Sequence, residues 1–134
     1  SCLRSAAVLG VDAVIINKYQ CAPVNQVVHD VSSGGIELLN IFYVSNLINC
    51  LKHLQDENIK VFGLSEHADM SYQKCNFENS SAIVMGSEEF GIRKKTAEKC
   101  DLLINLSDNK NFKSFNVAVA TGIILSEVVR QRKC

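Results

Sequence analysis

The run at residues 11–16 is short, rich in β-branched side chains and apolar without alternation. A strand with no polar face is typical of a parallel sheet that is covered on both sides. Further strands are predicted at residues 38–44, 60–64, 82–85 and 102–106, and helices at residues 23–32, 45–58, 92–99 and 116–131. Ser45 is expected to cap the second of these helices and Asn58 to end it. The order β-α-β-α-β-β-α-β-α predicts an open α/β sheet.

Two segments outside these predicted elements are interpreted separately. Residues 2–10 resemble the back half of a helix that Gly10 closes. Residues 66–81 are rich in Asp, Asn and Ser, so a surface connection without a clear element is expected there.

The length and composition indicate one folded domain. A chain of 134 residues can bury a sizeable apolar core, and 47% hydrophobic with 21% charged residues excludes disorder and collagen-like structure. Fourteen basic residues balance fourteen acidic ones, so a nucleic-acid partner would have to be attracted by a local patch. Polar residues interrupt the longest apolar stretch, residues 115–129, which argues against a membrane span.

The cysteines and histidines do not form a recognisable metal or disulfide pattern. The six cysteines stand at positions 2, 21, 50, 75, 100 and 134, without a C-x-x-C pair. This spacing indicates a reducing compartment, the cytoplasm or, in a eukaryote, an organelle. His29, His53 and His67 have no partner at helical spacing, so no metal is expected.

Residues 86–92, Gly-Ser-Glu-Glu-Phe-Gly-Ile, lie between a predicted strand and a predicted helix, where α/β sheets bind ligands. They lack the Lys and hydroxyl residue of a P-loop, and two carboxylates would repel phosphate, so a nucleoside triphosphate site is not expected. The segment is either an ordinary βα turn with glycines at positive φ or a loop whose carboxylate binds donors on a neutral or cationic ligand.

Two further candidates are weak when taken alone. Residues 114–116, Ser-Phe-Asn, precede the last helix, where Ser or Asn is the common N-cap. Arg4 is a lone cation that is more simply a surface residue. Gly122, inside the last helix, costs about 1 kcal/mol relative to Ala and indicates close approach of another backbone.

Basic residues cluster in two places. Such runs are typical of solvated faces, although a run beside a ligand loop can hold a polyanion. The first cluster is Arg93, Lys94, Lys95 and Lys99, and the second is Arg130, Arg132 and Lys133.

Three segments, taken together and in this order, resemble the motifs of the SpoU-type (TrmH-like) branch of the SPOUT RNA methyltransferases. Residues 3–6, Leu-Arg-Ser-Ala, followed by residues 10–15, resemble the end of the first motif, N-x-G-x-x-x-R-[ST]-A. Residues 83–88 with 91–93 resemble the second motif. Residues 114–122, Ser-Phe-Asn-Val-Ala-Val-Ala-Thr-Gly, resemble the third, S-L-N-V-[SA]-V-A. The resemblance covers essentially the whole chain.

This resemblance implies an α/β-knot domain, with a trefoil knot and a mostly parallel sheet flanked by helices, that works as a homodimer. It implies S-adenosylmethionine-dependent methylation of a ribose 2′-hydroxyl in RNA, with a guanosine of large-subunit rRNA as the expected target. The positions that match cofactor contacts are Gly86, Leu106 and Phe115. The positions that match catalytic or site-building residues are Arg4, Glu88, Ser114 and Asn116.

Each of these four residues has an expected role. A guanidinium scarcely deprotonates in proteins, so Arg4 is expected to stabilise a phosphate or the developing alkoxide and not to act as a base. Ser114 and Asn116 would order the site, and Glu88 would anchor it through hydrogen bonds.

The chain departs from the family pattern at two places. The first-motif Asn would fall before Ser1, so residues 1–134 are expected to form a methyltransferase domain that lacks its first strand and the start of its first helix. Where the family has I-P-M-x-G, this chain has Leu106-Ser107-Asp108-Asn109-Lys110. Lys110 at a glycine position can demand a different backbone angle.

Other functions stay open on the sequence alone. A tRNA 2′-O-methyltransferase fits the same motifs. A degenerate SPOUT domain that binds RNA or a protein partner without catalysis is suggested by the altered loop at residues 107–110. A flavodoxin-like nucleotide binder is disfavoured because the phosphate loop is missing.

Overall fold

A computed structural model of the protein describes residues 8–18, 40–87, 91–107 and 116–133. The strands and helices in these ranges are, in chain order, β1 (Val14–Asn17), β2 (Ile41–Val44), α1 (Leu47–Asp56), β3 (Lys60–Leu64), β4 (Met70–Ser71), β5 (Ser81–Val84), α2 (Lys94–Lys99), β6 (Leu102–Asn105) and α3 (Val117–Arg132), with a 3₁₀ helix at Tyr72–Lys74. The helix predicted at residues 23–32 lies outside the described residues. Of the one predicted before Gly10, the described part is helical at Val8 and turns at residues 9–10.

The described strands pair in parallel. β1 lies beside β2, with Val14 opposite Ile41. The other four strands form one sheet in the order β4-β6-β3-β5, and its pairings are parallel as well. α2 provides the crossover from β5 to β6, as a parallel connection requires. The predicted α/β class with a parallel sheet is confirmed. The predicted trefoil knot stays a prediction, because the described ranges do not trace the whole chain.

Neighbouring residues of β3 belong to two different cores, one on each face of the four-stranded sheet. Phe62 packs with Phe77, Ile104 of β6 and Ile124 of α3. The adjacent Val61 points the other way and packs with Leu51 of α1 and with Val84. Both faces are therefore covered, which explains why this strand is apolar without alternation.

The segment at residues 66–81 is more ordered and more buried than predicted. It holds β4 and the 3₁₀ helix, and Ala68, Cys75 and Phe77 are buried. The end of α3 fastens it: Gln131 accepts a hydrogen bond from the Phe77 amide at 2.6 Å, and Arg132 donates to the Phe77 carbonyl at 2.8 Å. The prediction of a surface connection was wrong because these partners lie more than fifty residues away in the sequence.

The ends of α1 are set by local hydrogen bonds. Asn46 and not Ser45 is the N-cap, since its side chain accepts from the Asn49 amide at 3.0 Å, so the predicted cap was wrong by one residue. The predicted stop at Asn58 is confirmed. Its φ of 64° is left-handed, and the amides of Asn58 and Ile59 return to carbonyls in the last turn of the helix.

Two further observations concern the helices. A β-carbon on Gly122 would meet no described atom within 4 Å, so no other backbone among the described residues comes close, contrary to the prediction. Among the described helices, none is long and apolar enough to cross a membrane.

Candidate functional site

The carboxyl ends of β5, β3 and β6 lie side by side, because β3 pairs in parallel with both of its neighbours. The chain leaves these strands at Met85, Ser65 and Leu106. We call this part of the molecule the loop edge: Ser65, residues 85–87 and residues 105–107. The predicted cofactor-contact positions Gly86 and Leu106 therefore lie at the same edge, on either side of β3, as expected for a ligand site in a parallel sheet.

The turn after β5 is closed by its own backbone. Ser87 and Gly91 exchange two hydrogen bonds, from the Ser87 amide at 3.2 Å and from the Gly91 amide at 2.9 Å. Gly91 has a φ of 69°, as predicted for a glycine in this turn. Gly86 is needed for a different reason: a β-carbon there would overlap the Gly91 carbonyl group and the Ile92 amide nitrogen. The sequence pattern identified both glycines, but it assigned positive φ to both.

The start of α3 is fixed by a side-chain cap. Asn116 is its N-cap, and its side-chain oxygen accepts hydrogen bonds from the amides of Ala118 at 2.8 Å and Val119 at 3.3 Å. The capping interpretation of Asn116 is therefore confirmed. These bonds use only Oδ1, so the cap is compatible with a second role for the side-chain amide.

Thr121 connects α3 to the end of β5. Its hydroxyl is buried, 2.7 Å from the Val117 carbonyl and 3.3 Å from the sulfur of Met85. Met85 immediately precedes Gly86, so this contact holds the first turns of α3 against the loop edge.

Asn105 is a residue of the loop edge that the sequence analysis missed. It is the last residue of β6 and is only 4% exposed. Its amide donates to the Ala68 carbonyl at 2.6 Å, whereas its side-chain oxygen is buried and has no hydrogen-bond partner among the described residues. An unsatisfied buried oxygen is costly and therefore unusual. A polar residue at the end of an apolar strand was the available signal.

Ser65 was also missed. It ends β3, between the two predicted loops, and its amide donates to the Ile104 carbonyl at 2.9 Å. Its hydroxyl accepts from the His67 amide at 3.2 Å. Only the strand order, which places β3 between β5 and β6, indicates that this residue belongs to the loop edge.

Four of the predicted site residues lie outside the described residues: Arg4, Glu88, Ser114 and Phe115. The structure places the other three, Gly86, Leu106 and Asn116, at the loop edge or at the start of the helix against it. Their predicted roles remain predictions.

Among the described residues, the thiols and histidines do not form a reactive site. Burial raises the pKa of Cys100 to about 11, with a further contribution from Asp101, and burial also raises the pKa of Cys50 and Cys75. These three cysteines are free thiols and stay protonated near neutral pH. His67 is exposed and lies 3.4 Å from the carboxylate of Glu66. Within the described ranges, no three metal-ligating side chains come together.

Solved structures of known proteins are similar to this chain over nearly its whole length. In the solved structure of a TrmH/SpoU tRNA modifying enzyme from A. aeolicus, the match covers 98% of this chain and 67% of that one, with a TM-score of 0.87 and 23% identity. The SpoU methyltransferase AviRb from Streptomyces viridochromogenes, solved in complex with AdoMet, matches over 97% of this chain and 53% of its own, with a TM-score of 0.88 and 24% identity. At these identities the likeness concerns the fold.

Sequence relatives are more similar still. The 23S rRNA (guanosine-2'-O-)-methyltransferase RlmB of Escherichia coli strain K12 is 41% identical over 132 residues, and that of Xanthomonas campestris is 39% identical over the same length. Each match covers 98% of this chain, which spans about half the length of these relatives, 54% and 53%. The family model of the SpoU rRNA Methylase family matches residues 1–126. The resemblance noted in the sequence is confirmed, and the chain belongs to the SpoU rRNA methylase family.

Proposed function

We propose that this chain is the methyltransferase domain of an S-adenosylmethionine-dependent enzyme that methylates a ribose 2′-hydroxyl in RNA, with a guanosine of large-subunit rRNA as the target. The observation that carries the proposal is the identity of about 40% over nearly the whole chain with enzymes named for that reaction. The two glycines of the turn after β5 also support it, because the backbone requires glycine at both positions. Gly86 has no room for a β-carbon, and Gly91 has a positive φ.

The loop edge fits a cofactor that is held mainly through main-chain groups. Gly86 has no side chain to cover the backbone there, and Leu106 follows β6, which lies on the other side of β3. The oxygen of Asn105, directly before Leu106, offers an acceptor that no described residue uses. Main-chain recognition tolerates the altered side chains at Ser107 and Asp108.

When bound, S-adenosylmethionine supplies an electrophilic methyl group on a sulfonium. The protein's contribution is then positioning of the ribose oxygen and stabilisation of the charge that develops on it. We assign Arg4 to that charge or to the adjoining phosphate, because its guanidinium stays protonated. Asn116 and Ser114 order the start of α3, and Glu88 anchors the turn after β5. Gly86, Leu106 and Phe115 hold the cofactor, and two copies of the chain form a homodimer.

A degenerate domain without catalysis is the second candidate, because Lys110 stands where the family has a glycine. Titration calorimetry with millimolar S-adenosylmethionine separates the two. Heat of binding, together with transfer of labelled methyl groups to large-subunit rRNA, is the expected result. Absence of cofactor binding would overturn the proposal in favour of the degenerate domain, and binding without transfer to rRNA or tRNA would overturn the assignment as an enzyme.

Replacing Arg4 tests the assigned chemistry. Arg4→Ala should slow methyl transfer about 100-fold, because removing a transition-state charge partner costs about 3 kcal/mol. Arg4→Lys keeps the charge but loses the forked donors, so it should retain an intermediate rate. Both variants should keep the melting temperature of the wild type. Near-normal transfer by Arg4→Ala would remove Arg4 from the site.

A further inference from the structure

Four exposed cations lie close together on the short helix α2 and its N-cap. We call Arg93, Lys94, Lys95 and Lys99 the basic strip, and all four are exposed. The residues that flank the helix face inward: Ile92 and Cys100 pack against the core formed by Leu51, Val61 and Val84. The strip therefore lies on the solvent side of an element whose two ends are anchored.

The charges of the basic strip are uncompensated within the described residues. None of the four cations has a described ion pair, and Glu98 is the one carboxylate on the same helix. Asp101, which follows the helix, is occupied, since its carboxylate accepts the Val61 amide at 2.7 Å. Positive charge is thus concentrated on this face although the whole chain has a net charge of zero.

The second basic cluster of the sequence is used differently. Arg130 binds Glu127 through two hydrogen bonds, at 2.6 and 2.8 Å. Arg132 donates to the carbonyls of Phe77 and Asn79 at 2.8 and 2.7 Å. These two arginines have structural partners inside the protein, whereas the basic strip has none among the described residues.

The strip is rigidly placed next to the loop edge. Arg93 is two residues after Gly91, which closes the turn after β5. The far end of α2 is held by a hydrogen bond from the Gln55 side chain to the Lys99 carbonyl at 2.6 Å. At about 1.5 Å of rise per residue, the strip spans about 9 Å, which matches a few phosphates of a nucleic-acid strand.

We propose that the basic strip binds phosphates of the substrate RNA backbone and so orients the RNA across the loop edge. This inference rests on the proposed function. An RNA strand fits better than an acidic protein because closely spaced, flexible cations on a segment, residues 93–99, that carries no aromatic residue suit a repeating polyanion that is read without regard to sequence.

The test is binding of a fluorescein-labelled single-stranded RNA of mixed sequence, measured by anisotropy over a range of salt concentrations. The double variant Lys94→Ala and Lys95→Ala should weaken binding at least 10-fold at low salt. It should also lower the slope of log Kd against log salt by about 1.4, since each lost phosphate contact removes about 0.7. The double variant Lys74→Ala and Lys133→Ala removes the same charge elsewhere and should change neither quantity.

Two outcomes would overturn the inference: RNA binding that is unchanged in the strip variant, whether or not its binding to polyglutamate is lost, or equal weakening of RNA binding in the control variant. The strip variant should bind S-adenosylmethionine with unchanged affinity, which separates this inference from the proposed function. If the protein binds no cofactor but its RNA binding still depends on the basic strip, this inference is supported and the proposed methyl transfer is contradicted.

Discussion

Side chains of α3 form hydrogen bonds with distant parts of the chain, and Glu127 is central to this network. Its carboxylate accepts two hydrogen bonds from Arg130 and one from Gln131 at 3.0 Å. These bonds lower the pKa of Glu127 from 4.5 to about 2. Gln131 in turn binds the Phe77 amide and the Cys75 carbonyl, so the charge of Glu127 helps to fix the segment that completes the core.

The lowered pKa of Glu127 predicts an acid-dependent loss of stability. The folded state binds this proton less readily than the unfolded state, so the stabilisation is complete above about pH 4.5 and is lost as the pH falls toward 2. Glu127→Gln should lower the melting temperature at pH 7 by a few degrees and should flatten its decline between pH 5 and 2. Thermal melts by circular dichroism across this range check the prediction.

The control for this experiment is Glu78→Gln, which removes an exposed carboxylate that has no described ion pair. It should reproduce the wild-type decline in acid. If Glu127→Gln follows the wild-type curve in parallel, its hydrogen bonds to Arg130 and Gln131 do not contribute to stability.

At the scale of elements, the turn after β5 is the part of the loop edge with the least room for change. A β-carbon on Gly86 would overlap the backbone at Gly91 and Ile92, and backbone cannot yield as a flexible side chain can. Gly122 offers the opposite environment in α3, where an added methyl group meets no atom of the described residues within 4 Å.

This contrast supplies a matched pair of substitutions. Gly86→Ala should lower stability by more than 1 kcal/mol and weaken S-adenosylmethionine binding at least 10-fold, because the turn must open. Gly122→Ala adds the same methyl group and should raise stability by up to about 1 kcal/mol through helix propensity, without changing cofactor affinity. Thermal melts and calorimetry measure both. Normal cofactor affinity in a folded Gly86→Ala protein would show that the turn does not form the site.

The sequence predicted most elements because their signals are local. The apolar strand at residues 60–64, the stop at Asn58 and the cap at Asn116 follow from side chains within a few positions of one another. The burial of Phe77 depends on Gln131 and Arg132, so no window around residue 77 could have indicated it. Ser65 was missed for the same reason, since only the strand order brings it to the loop edge.

At the scale of the whole molecule, α3 has more apolar surface than this chain covers. Ile124 and Ala120 are buried in the described core, whereas Val119, in the first turn, is 51% exposed. The helix carries apolar residues around much of its circumference, which is typical of an element that packs on a sheet with one face and on another molecule with the other. Val119 is therefore the residue through which the proposed homodimer is best tested.

Val119→Lys should convert a dimer into a monomer, because a charge placed in an apolar contact loses its hydration without gaining a partner. Sedimentation at micromolar concentration should give about twice the 14.8 kDa chain mass for the wild-type chain and a single chain mass for the variant. Met70→Lys alters another exposed apolar residue, on β4, and should leave the dimer intact. A wild-type chain that sediments only as a monomer contradicts the homodimer, and a Val119→Lys protein that remains dimeric places the contact elsewhere than on the exposed start of α3.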